Sequence, residues 1–303
     1  MKSRCLFAVT WCGFVGIVHA AVLLVGPTPT VLEPEVLRVI DGARRRLWVA
    51  MYRLTSGPCV RALCSAQQRG VQVQIILDRE MTLLPVHRVL MRKLKKAGVT
   101  VLWGQRDRMF HHKWALCDNT VMVGSANWTR AGLARNHETI ALMQEPSLVQ
   151  SFATHFVTLK KRTQKAAVMT PRSTHSVFFV PDHAAAMRQE LTAALACAQK
   201  TIEVRMYALT AGWCIDALCS AARRGVMVSV LLEPSQCVDA GIAARLKEAG
   251  VAVALYKTPY PGAVLHDKYV GIDGSVWLGS MNWTGPGTRA NDEVFVRVPD
   301  ATP

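Results

Sequence analysis

The sequence predicts an α/β protein built from two copies of one domain, and two observations support this prediction. A polar motif that begins at His111 recurs at His266, with every internal spacing unchanged and a constant offset of 155 residues. In each copy, short apolar segments alternate with amphipathic segments at the spacing of β-α-β units. The chain has 303 residues, half of them apolar, which is long enough to form two small hydrophobic cores.

Within the first copy, the apolar segments are predicted as strands and the amphipathic segments between them as helices. A fully apolar segment such as 47–52 is typical of a strand covered on both faces, so we expect a sheet that is largely parallel at its centre. Gly57-Pro58 and Gly70 mark the start and the end of the second helix. The predicted strands are 21–25, 47–52, 71–77 and 99–103, and the predicted helices are 33–46, 57–70 and 85–97.

A β-hairpin is predicted within the motif itself. Two short apolar segments lie on either side of Asp118-Asn119, and the same turn position recurs at Asp273-Gly274. Because side chains alternate along a strand, His111 and Lys113 are expected to face the same side. Another apolar strand is predicted from His137 to Met143.

The two copies are joined by a polar segment. A predicted helix from Ser147 to about Lys165 ends the first copy, and a stretch rich in Thr, Pro and Ser leads into the second. We therefore assign residues 21–165 to lobe 1, 166–176 to a linker and 177–303 to lobe 2.

The N-terminus has the three parts of a secretory signal, namely two cations, an apolar segment and small residues around Ala20. An uncleaved membrane anchor is the alternative, because apolar residues continue beyond Ala20. Residues 22–25 align at the same offset with 177–180, which places them in the first strand of the domain and leaves too few residues for a span. We therefore expect residues 1–20 to be removed and the protein to be periplasmic or secreted.

The charge balance is strongly basic. Removal of residues 1–20 takes two cations and no anion, which leaves 34 Lys and Arg against 21 Asp and Glu and a net charge of +13. Such a surplus favours polyanionic partners, either nucleic acid or an anionic membrane that the protein contacts peripherally. A generally basic, solvated surface is the alternative interpretation.

The cysteines follow the repeat. Cys59 and Cys64 in the first copy recur as Cys214 and Cys219 in the second. Five positions apart on a helix is poor geometry for a disulfide, and zinc sites usually have closer pairs. Buried thiols are the favoured interpretation, and a bridge near the helix start is the alternative.

Each copy supplies half of a polar site, so the candidate residues occur in equivalent pairs. The histidine and the lysine of the motif are followed by an aspartate, a serine, an asparagine and a glutamate. The candidate catalytic residues are His111, Lys113, Asp118 and Glu138 with His266, Lys268, Asp273 and Glu293, and the candidate substrate-binding residues are Ser125, Asn127, Ser280 and Asn282.

Two imidazoles, two ammonium groups and two amides around one anionic centre suit a phosphodiester. The lysines and asparagines would bind the non-bridging oxygens. One imidazole would attack phosphorus to form a covalent phosphohistidine, and the other would protonate the leaving oxygen and then activate water. Glu138 and Glu293 would accept hydrogen bonds from the remaining ring nitrogens. Neither motif has a dense set of carboxylates, so hydrolysis without a metal or another cofactor is expected.

Some of these residues also have structural interpretations. Asp118 and Asp273 head the hairpin turns, so a turn role and a site role are both open. The two serines could cap the following turns, although their fixed distance from the histidine and lysine favours phosphate contact. The tryptophans after the asparagines are expected to pack in the core. His112 and His137 have no repeated partner and are interpreted as incidental.

The two motifs resemble the paired HKD motifs of the phospholipase D superfamily, and the resemblance covers essentially the whole chain after residue 20. It implies two α/β/α lobes with mixed sheets, related by a pseudo-twofold axis, and one active site at their junction in a monomer. It also implies that His111 is the nucleophile and His266 the acid. Five residues separate Asp118 from Gly124, where the family commonly has six, which implies a tighter hairpin.

The motifs do not identify the diester. Members of the superfamily cut phospholipid headgroups, cardiolipin or nucleic acids, and some transfer the phosphatidyl group to an alcohol. Lobes of this size resemble compact exported bacterial endonucleases and cardiolipin hydrolase-like members. The rim is basic before His111, with Arg106 and Arg108, and apolar before His266, with Tyr260, which suits an acyl glycerol or a nucleobase. A catalytically silent polyanion-binding protein of the same fold is the alternative from a different class.

Overall fold

The computed structural model describes residues 15–18, 21–26, 31–80, 85–164, 177–237 and 240–299. Lobe 1 alternates strands and helices through most of its length. Its strands are β1 (Val15–Val18), β2 (Ala21–Val25), β3 (Arg46–Met51), β4 (Gln72–Leu77), β5 (Thr100–Trp103), β6 (Lys113–Cys117), β7 (Thr120–Gly124) and β8 (Thr139–Met143). Its helices are α1 (Leu32–Gly42), α2 (Gly57–Gln68), α3 (Pro85–Lys96), α4 (Arg130–Ala134) and α5 (Pro146–Thr163).

Lobe 2 repeats this order of elements up to its last strand. Its strands are β9 (Val177–Val180), β10 (Thr201–Met206), β11 (Met227–Leu232), β12 (Ala252–Leu255), β13 (Lys268–Ile272), β14 (Ser275–Gly279) and β15 (Glu293–Val298). Its helices are α6 (Ala184–Cys197), α7 (Gly212–Arg223), α8 (Ala240–Glu248) and α9 (Gly285–Arg289).

The two sheets have the same topology. The first has the strand order β1-β2-β8-β7-β6-β3-β4-β5. Starting from the side equivalent to β2, the second has the order β9-β15-β14-β13-β10-β11-β12. Without β1, each strand of one sheet therefore has a counterpart at the same place in the other. The predicted α/β class with two repeated lobes and mixed sheets is confirmed.

Parallel pairing lies at one side of each sheet, so the expectation of a parallel centre was wrong. In the first sheet, β3, β4 and β5 pair in parallel, whereas β6 pairs antiparallel with β3 and with β7. The motif hairpin β6–β7 stands between β3 and β8. It makes the centre antiparallel, because a short hairpin turn joins only antiparallel strands.

Helix α1 ends at Gly42 rather than at the predicted Arg46, and Asp118 explains the difference. Its carboxylate accepts hydrogen bonds from the backbone N of Arg44, Arg45 and Arg46 at 2.7, 3.0 and 2.9 Å. These three donors are therefore directed at a hairpin turn instead of at the preceding helical carbonyls. The chain leaves the helix, and Arg46 begins β3.

The motif aspartates lie in the hairpin turns, at the ends of the central strands that are away from the site. This corrects the expectation that they act in the site. Asp273 accepts from the backbone N of Gln199, Lys200 and Thr201 at 2.6, 2.9 and 2.8 Å, as Asp118 does in lobe 1. Asp118 is five residues beyond Lys113, which is about 17 Å at a rise of about 3.4 Å per residue. Both aspartates have a positive φ and lie in hairpin turns, so their role is structural.

The described residues form three hydrophobic cores that position the site. Two of them lie between a sheet and its own outer helices, one in each lobe. The third lies between the lobes and combines the inner faces of both sheets with α5. There Trp48 stacks on Phe156 of α5 with ring centroids 5.0 Å apart, and Phe152 of α5 contacts Phe179 of lobe 2 at 5.3 Å. The lobes are thus joined by apolar packing along α5.

Several local predictions are confirmed. Cys117 pairs with Thr120 across a two-residue turn, which is the tighter hairpin. Trp128 and Trp283 are buried in the two outer cores. The seven cysteines within the described ranges are free thiols, and of the two repeated pairs Cys59, Cys214 and Cys219 are buried whereas Cys64 is partly exposed.

The N-terminal predictions fall largely outside the described residues. Strand β1 pairs antiparallel with β2. The other residues of the predicted signal, 1–14 and 19–20, and the predicted linker 166–176 lie outside the described residues, so export and the domain boundaries stay predictions. In the part of the chain that the structure describes, no helix is both long and apolar enough to cross a bilayer.

Substitution of Asp118 is expected to weaken the fold. Asn tolerates the positive φ but loses the charge that three backbone donors share, so we expect Asp118→Asn to lower the free energy of unfolding by about 2 kcal/mol in urea titrations. Burial favours protonation of Asp118, but the backbone donors outweigh it and lower its pKa. The carboxylate therefore stabilises the fold above the ordinary Asp pKa, and the difference from wild type should shrink as the pH falls through the folded pKa.

Asp41→Asn is the matched control, because Asp41 is exposed at the end of α1. An equal loss of stability in both variants would contradict the role assigned to Asp118.

Candidate active site

The motif histidines lie directly before equivalent strands, where the two lobes meet. His111 precedes β6, and its backbone N donates to the carbonyl of Asp292 in lobe 2 at 2.9 Å. His266 precedes β13, and its backbone N donates to the carbonyl of His137 in lobe 1 at 2.9 Å. Each histidine is therefore held in place by a segment of the opposite lobe.

The motif glutamates orient the histidines, as predicted, and they do so across the lobes. His111 Nδ1 lies 2.8 and 2.9 Å from the carboxylate oxygens of Glu293, and His266 Nδ1 lies 2.9 and 3.0 Å from those of Glu138. Both glutamates are fully buried. A carboxylate on Nδ1 fixes the ring and leaves Nε2 as the nitrogen that faces a substrate.

The two lysines complete a cationic centre beside the rings. Lys113 Nζ and Lys268 Nζ each donate to the backbone carbonyl of the histidine two residues earlier, at 2.8 and 2.5 Å. Each Nζ also lies over a tyrosine ring, Tyr52 in lobe 1 at 5.2 Å and Tyr207 in lobe 2 at 4.9 Å. The tyrosines were not among the predicted site residues, although Met-Tyr recurs at the common offset in both copies.

Burial of this centre disfavours its positive charges. It lowers the pKa of His111 well below the ordinary value, and the charges of Lys113 and Lys268 act in the same direction. It also lowers the pKa of Lys268 to about 8, although Glu138 and Glu293 oppose the shift. At neutral pH, His111 is therefore a neutral imidazole with a lone pair on Nε2 when Nδ1 donates to Glu293.

The two glutamates differ in their electrostatics. Burial raises the pKa of Glu293 to about 7, although Lys113 opposes the shift. Burial acts in the same direction on Glu138, but the charge and the hydrogen bond of His266 outweigh it, and the pKa of Glu138 is lowered. The halves of the site are therefore alike in geometry and unlike in charge.

The motif serines support the carboxylates instead of facing a phosphate, which corrects their predicted role. Ser280 Oγ donates to Glu293 Oε2 at 2.5 Å and accepts from the backbone N of Val294 at 3.0 Å. Ser125 Oγ donates to Asp267 Oδ1 at 3.4 Å and accepts from the backbone N of Thr139 at 3.0 Å. Both serines are buried, and these bonds occupy their hydroxyls.

The motif asparagines follow β7 and β14, next to the serines. The Oδ1 atoms of Asn127 and Asn282 are buried and have no hydrogen-bond partner among the described residues. The surrounding protein thus leaves these two amide oxygens unpaired, whereas it uses the serine hydroxyls. Their role as phosphate ligands stays a prediction.

A second buried link between the lobes was missed by the sequence analysis. His137 Nδ1 lies 2.8 Å from Asp267 Oδ2, and Arg205 Nε lies 3.1 Å from the same oxygen. Asp267 follows His266 directly, and His137 precedes Glu138, so this pair reinforces the contact between those two catalytic candidates. His137 is therefore not incidental. The sequence analysis compared residues 155 positions apart. That comparison cannot detect this contact, because a His of copy 1 pairs with an Asp of copy 2 that is not its equivalent.

The equivalent position in the other half is different. His112 Nε2 lies 3.4 Å from Nε2 of His155 on α5, and burial lowers the pKa of both rings well below the ordinary value. Asp292, which takes the place of His137, has a pKa raised to about 7 by burial. The lobes share a backbone arrangement and differ in the buried polar groups behind it.

Two further carboxylates hold the segments that lead into the histidines. Asp78 Oδ2 accepts from the backbone N of Phe110, and Glu233 Oε2 accepts from the backbone N of Leu265, both at 2.8 Å. Each acceptor follows the second parallel strand of its sheet. Their equal offset in the sequence was the signal that could have identified them.

Metal binding has no evident support in the donor set. Within the described ranges, no group of three or more His, Cys, Asp or Glu side chains is arranged to hold a metal ion. The groups that can neutralise a bound phosphate are the two lysines, with the imidazoles beside them.

Comparison with known families agrees with this arrangement. The family model described as the PLD-like domain of cardiolipin synthase matches residues 36–160 and 191–302. The chain belongs to the phospholipase D superfamily. The two matched segments contain both histidines, both lysines and both glutamates of the site.

Individual relatives in the phospholipase D superfamily match parts of the chain. Mitochondrial cardiolipin hydrolase of Mus musculus is 32% identical over 123 residues, 40% of this chain and 55% of the relative. Phospholipase D of Rickettsia bellii is 30% identical over 124 residues, 41% of this chain and 61% of the relative. The chain spans about half the length of the curated relatives it matches. Phosphatidylserine synthase of Haemophilus influenzae shares the fold over 96% of this chain and 84% of its own, with a TM-score of 0.69 and 11% identity.

The buried ion pairs of Asp267 are expected to be important for stability. Asp267→Asn leaves the Arg205 guanidinium without a buried counter-charge and weakens the hydrogen bond with His137 Nδ1, so we expect the free energy of unfolding in urea to fall by about 3 kcal/mol. Asp216→Asn breaks the exposed pair with Arg245 and is the control, with an expected change below about 0.5 kcal/mol. Similar losses in the two variants would show that Asp267 has no special role.

Proposed function

We propose that this chain is a phosphodiesterase of the phospholipase D type, with one active site between its lobes and a covalent phosphohistidine intermediate. The observation that supports it most is the reciprocal pairing of His111 with Glu293 and of His266 with Glu138. This pairing presents two Nε2 atoms beside two lysines in one buried place. Neither lobe contains a complete pair by itself.

The reaction follows from the two imidazoles. His111 Nε2 attacks phosphorus, a P–N bond forms, and the bond from phosphorus to the leaving oxygen breaks. The leaving oxygen takes a proton from Nε2 of His266. Water then attacks the phosphohistidine, gives its proton to His266, and the P–N bond breaks to release the phosphate monoester and His111. An alcohol in place of water would give transfer instead of hydrolysis.

The surrounding groups stabilise charge at phosphorus. Lys113 and Lys268 bind the non-bridging oxygens, and the amides of Asn127 and Asn282 add hydrogen bonds there. Burial lowers the pKa of His266, with Glu138 opposing the shift. A bound phosphate anion adds a negative charge beside the ring, which favours the protonated form that the acid step requires. The lysines and imidazoles thus supply the positive charge without a metal ion.

The covalent step is tested with a p-nitrophenyl phosphodiester in excess chelator. Nitrophenolate leaves without help from an acid, so His266→Asn should form the phosphohistidine at His111 and release it slowly, with a burst of about one equivalent. His111→Asn should give no burst and lower turnover by a factor of about 10⁴ or more. Mass spectrometry of the quenched proteins locates the phosphoryl group.

The two variants are matched controls for each other, because each removes one imidazole from an equivalent position. A burst in His111→Asn but not in His266→Asn would reverse the assigned roles. Substrate binding without turnover in the wild type would instead favour a catalytically silent polyanion-binding protein. Activity lost in chelator and restored by a divalent cation would contradict metal independence.

The lowered pKa of Lys268 predicts a pH dependence of anion binding. As the pH rises through about 8, Lys268 loses its charge, so affinity for sulfate, which stays a dianion, should fall by about tenfold in calorimetric titrations between pH 7 and pH 9.5. Lys268→Arg keeps its charge in this range and should reduce the fall, leaving the part that comes from Glu293, whose pKa is raised to about 7 by burial. An affinity that stays constant in the wild type would contradict the assignment.

The substrate is proposed to be a phospholipid or nucleic acid phosphodiester, encountered outside the cytoplasm. The exposed face of α3 carries Arg88, Arg92 and Lys93 next to Val86 and Val89, which are 48% and 45% exposed. Cations beside exposed apolar side chains suit peripheral contact with an anionic membrane, whereas cations alone also suit a nucleic acid backbone. The apolar residues favour the lipid.

A further inference from the structure

The two halves of the site differ in charge directly after their tyrosines. Arg53 follows Tyr52 at the end of β3, and Ala208 follows Tyr207 at the end of β10. Arg53 is exposed. Lobe 1 therefore places a solvent-facing guanidinium where lobe 2 has a methyl group.

Arg53 lies close to the reaction centre without being part of it. Its Cζ is 5.2 Å from the centroid of the Tyr52 ring, and that centroid is 5.0 Å from the centroid of the His111 ring. Arg53 Cζ therefore lies within about 10 Å of the His111 ring. Burial is the main cause of the lowered pKa of Lys113, and the charge of Arg53 adds to it. The field of this arginine thus reaches the place where a phosphate binds.

No carboxylate among the described residues forms an ion pair with Arg53. Its charge does act on the buried Asp78, where burial raises the pKa and Arg53 opposes the shift. His87 on α3 is buried, and neither of its ring nitrogens has a hydrogen-bond partner within the described ranges. Burial, and then the charge of Arg53, lower the pKa of His87. An exposed guanidinium without an ion-pair partner, at the rim of a buried cationic centre, is an arrangement that an anion would complete.

We propose that Arg53 binds a second phosphate of the substrate, which a short linker joins to the diester at His111 and His266. This inference rests on the proposed function and narrows it to diesters that carry another phosphate on the lobe 1 side. The guanidinium suits this role, because its planar donors match phosphate oxygens in pairs. In lobe 2 the equivalent place, at Ala208, takes an uncharged part of the substrate.

The test uses two chromogenic substrates that differ in one group, 3-hydroxypropyl p-nitrophenyl phosphate and its 3-O-phosphate. The wild type should prefer the second by kcat/KM, and Arg53→Ala, which copies Ala208, should lower this preference by about tenfold or more. Arg223→Ala is the matched control, since it removes an exposed arginine at the end of α7, on the sheet edge away from the site. Its preference should equal that of the wild type.

The outcomes separate this inference from the proposed function. An unchanged preference in Arg53→Ala, or equal losses for both substrates, would overturn the second phosphate site while leaving the phosphodiesterase intact. Absence of turnover on both substrates would instead overturn the proposed function. In that case calorimetric binding of 1,3-propanediol bisphosphate and of propyl phosphate to His111→Asn, with and without Arg53→Ala, decides the inference alone.

The same comparison identifies the natural source of the second phosphate. Cardiolipin and phosphatidylglycerol in mixed micelles form one pair of substrates with two phosphates and one. The dinucleotides d(pTpT) and d(TpT) form the other. If Arg53→Ala lowers the preference for two phosphates over one within the lipid pair, the site takes a lipid. If it does so within the dinucleotide pair, the site takes a nucleotide.

Discussion

Each candidate catalytic histidine is oriented by a carboxylate of the opposite lobe. His111 with Glu293 and His266 with Glu138 cross the junction in opposite directions, and both glutamates are fully buried. A buried carboxylate without a partner is costly, and an imidazole without its acceptor loses its orientation. The site therefore exists only while the lobes are packed. The apolar core along α5, which joins the inner faces of both sheets, maintains that packing.

Desolvation connects this packing to the chemistry. The burial that makes an unpaired glutamate costly also lowers the pKa of His111, so that its imidazole is neutral near pH 7, as the proposed nucleophile requires. It lowers the pKa of Lys268 to about 8, so the proposed anion binding should weaken as the pH rises above neutrality. In the proposed mechanism, a bound phosphate anion adds negative charge beside these lysines and histidines. The same buried charged groups therefore lower the stability of the free protein and raise its affinity for the proposed substrate.

The two lobes have the same backbone arrangement but differ in the polar side chains around it. At one pair of equivalent positions Trp48 lies beneath Phe156 of α5, and Glu203 in lobe 2 is partly exposed, because the described part of that lobe has no helix in the place of α5. Behind the catalytic candidates, the Asp267 ion pairs of one half correspond to neutral histidines in the other. Arg53 and Ala208 differ in the same way. Equivalent geometry can therefore assign unequal tasks to the two halves.

The sequence by itself determined the α/β class, the duplication and which histidines, lysines and glutamates are candidates for the site, because fixed spacing between polar residues survives in a linear comparison. Only the tertiary structure decided which of them meet. The spacing predicted Asp118 beside His111. The length of β6 separates them, and the aspartate accepts hydrogen bonds from backbone N–H groups at the opposite end of that strand. Glu293 and His137 each contact a residue of the opposite lobe, and comparing equivalent positions of the two copies does not reveal such contacts. Contacts between lobes depend on how the inner faces pack, and no local pattern contains that information.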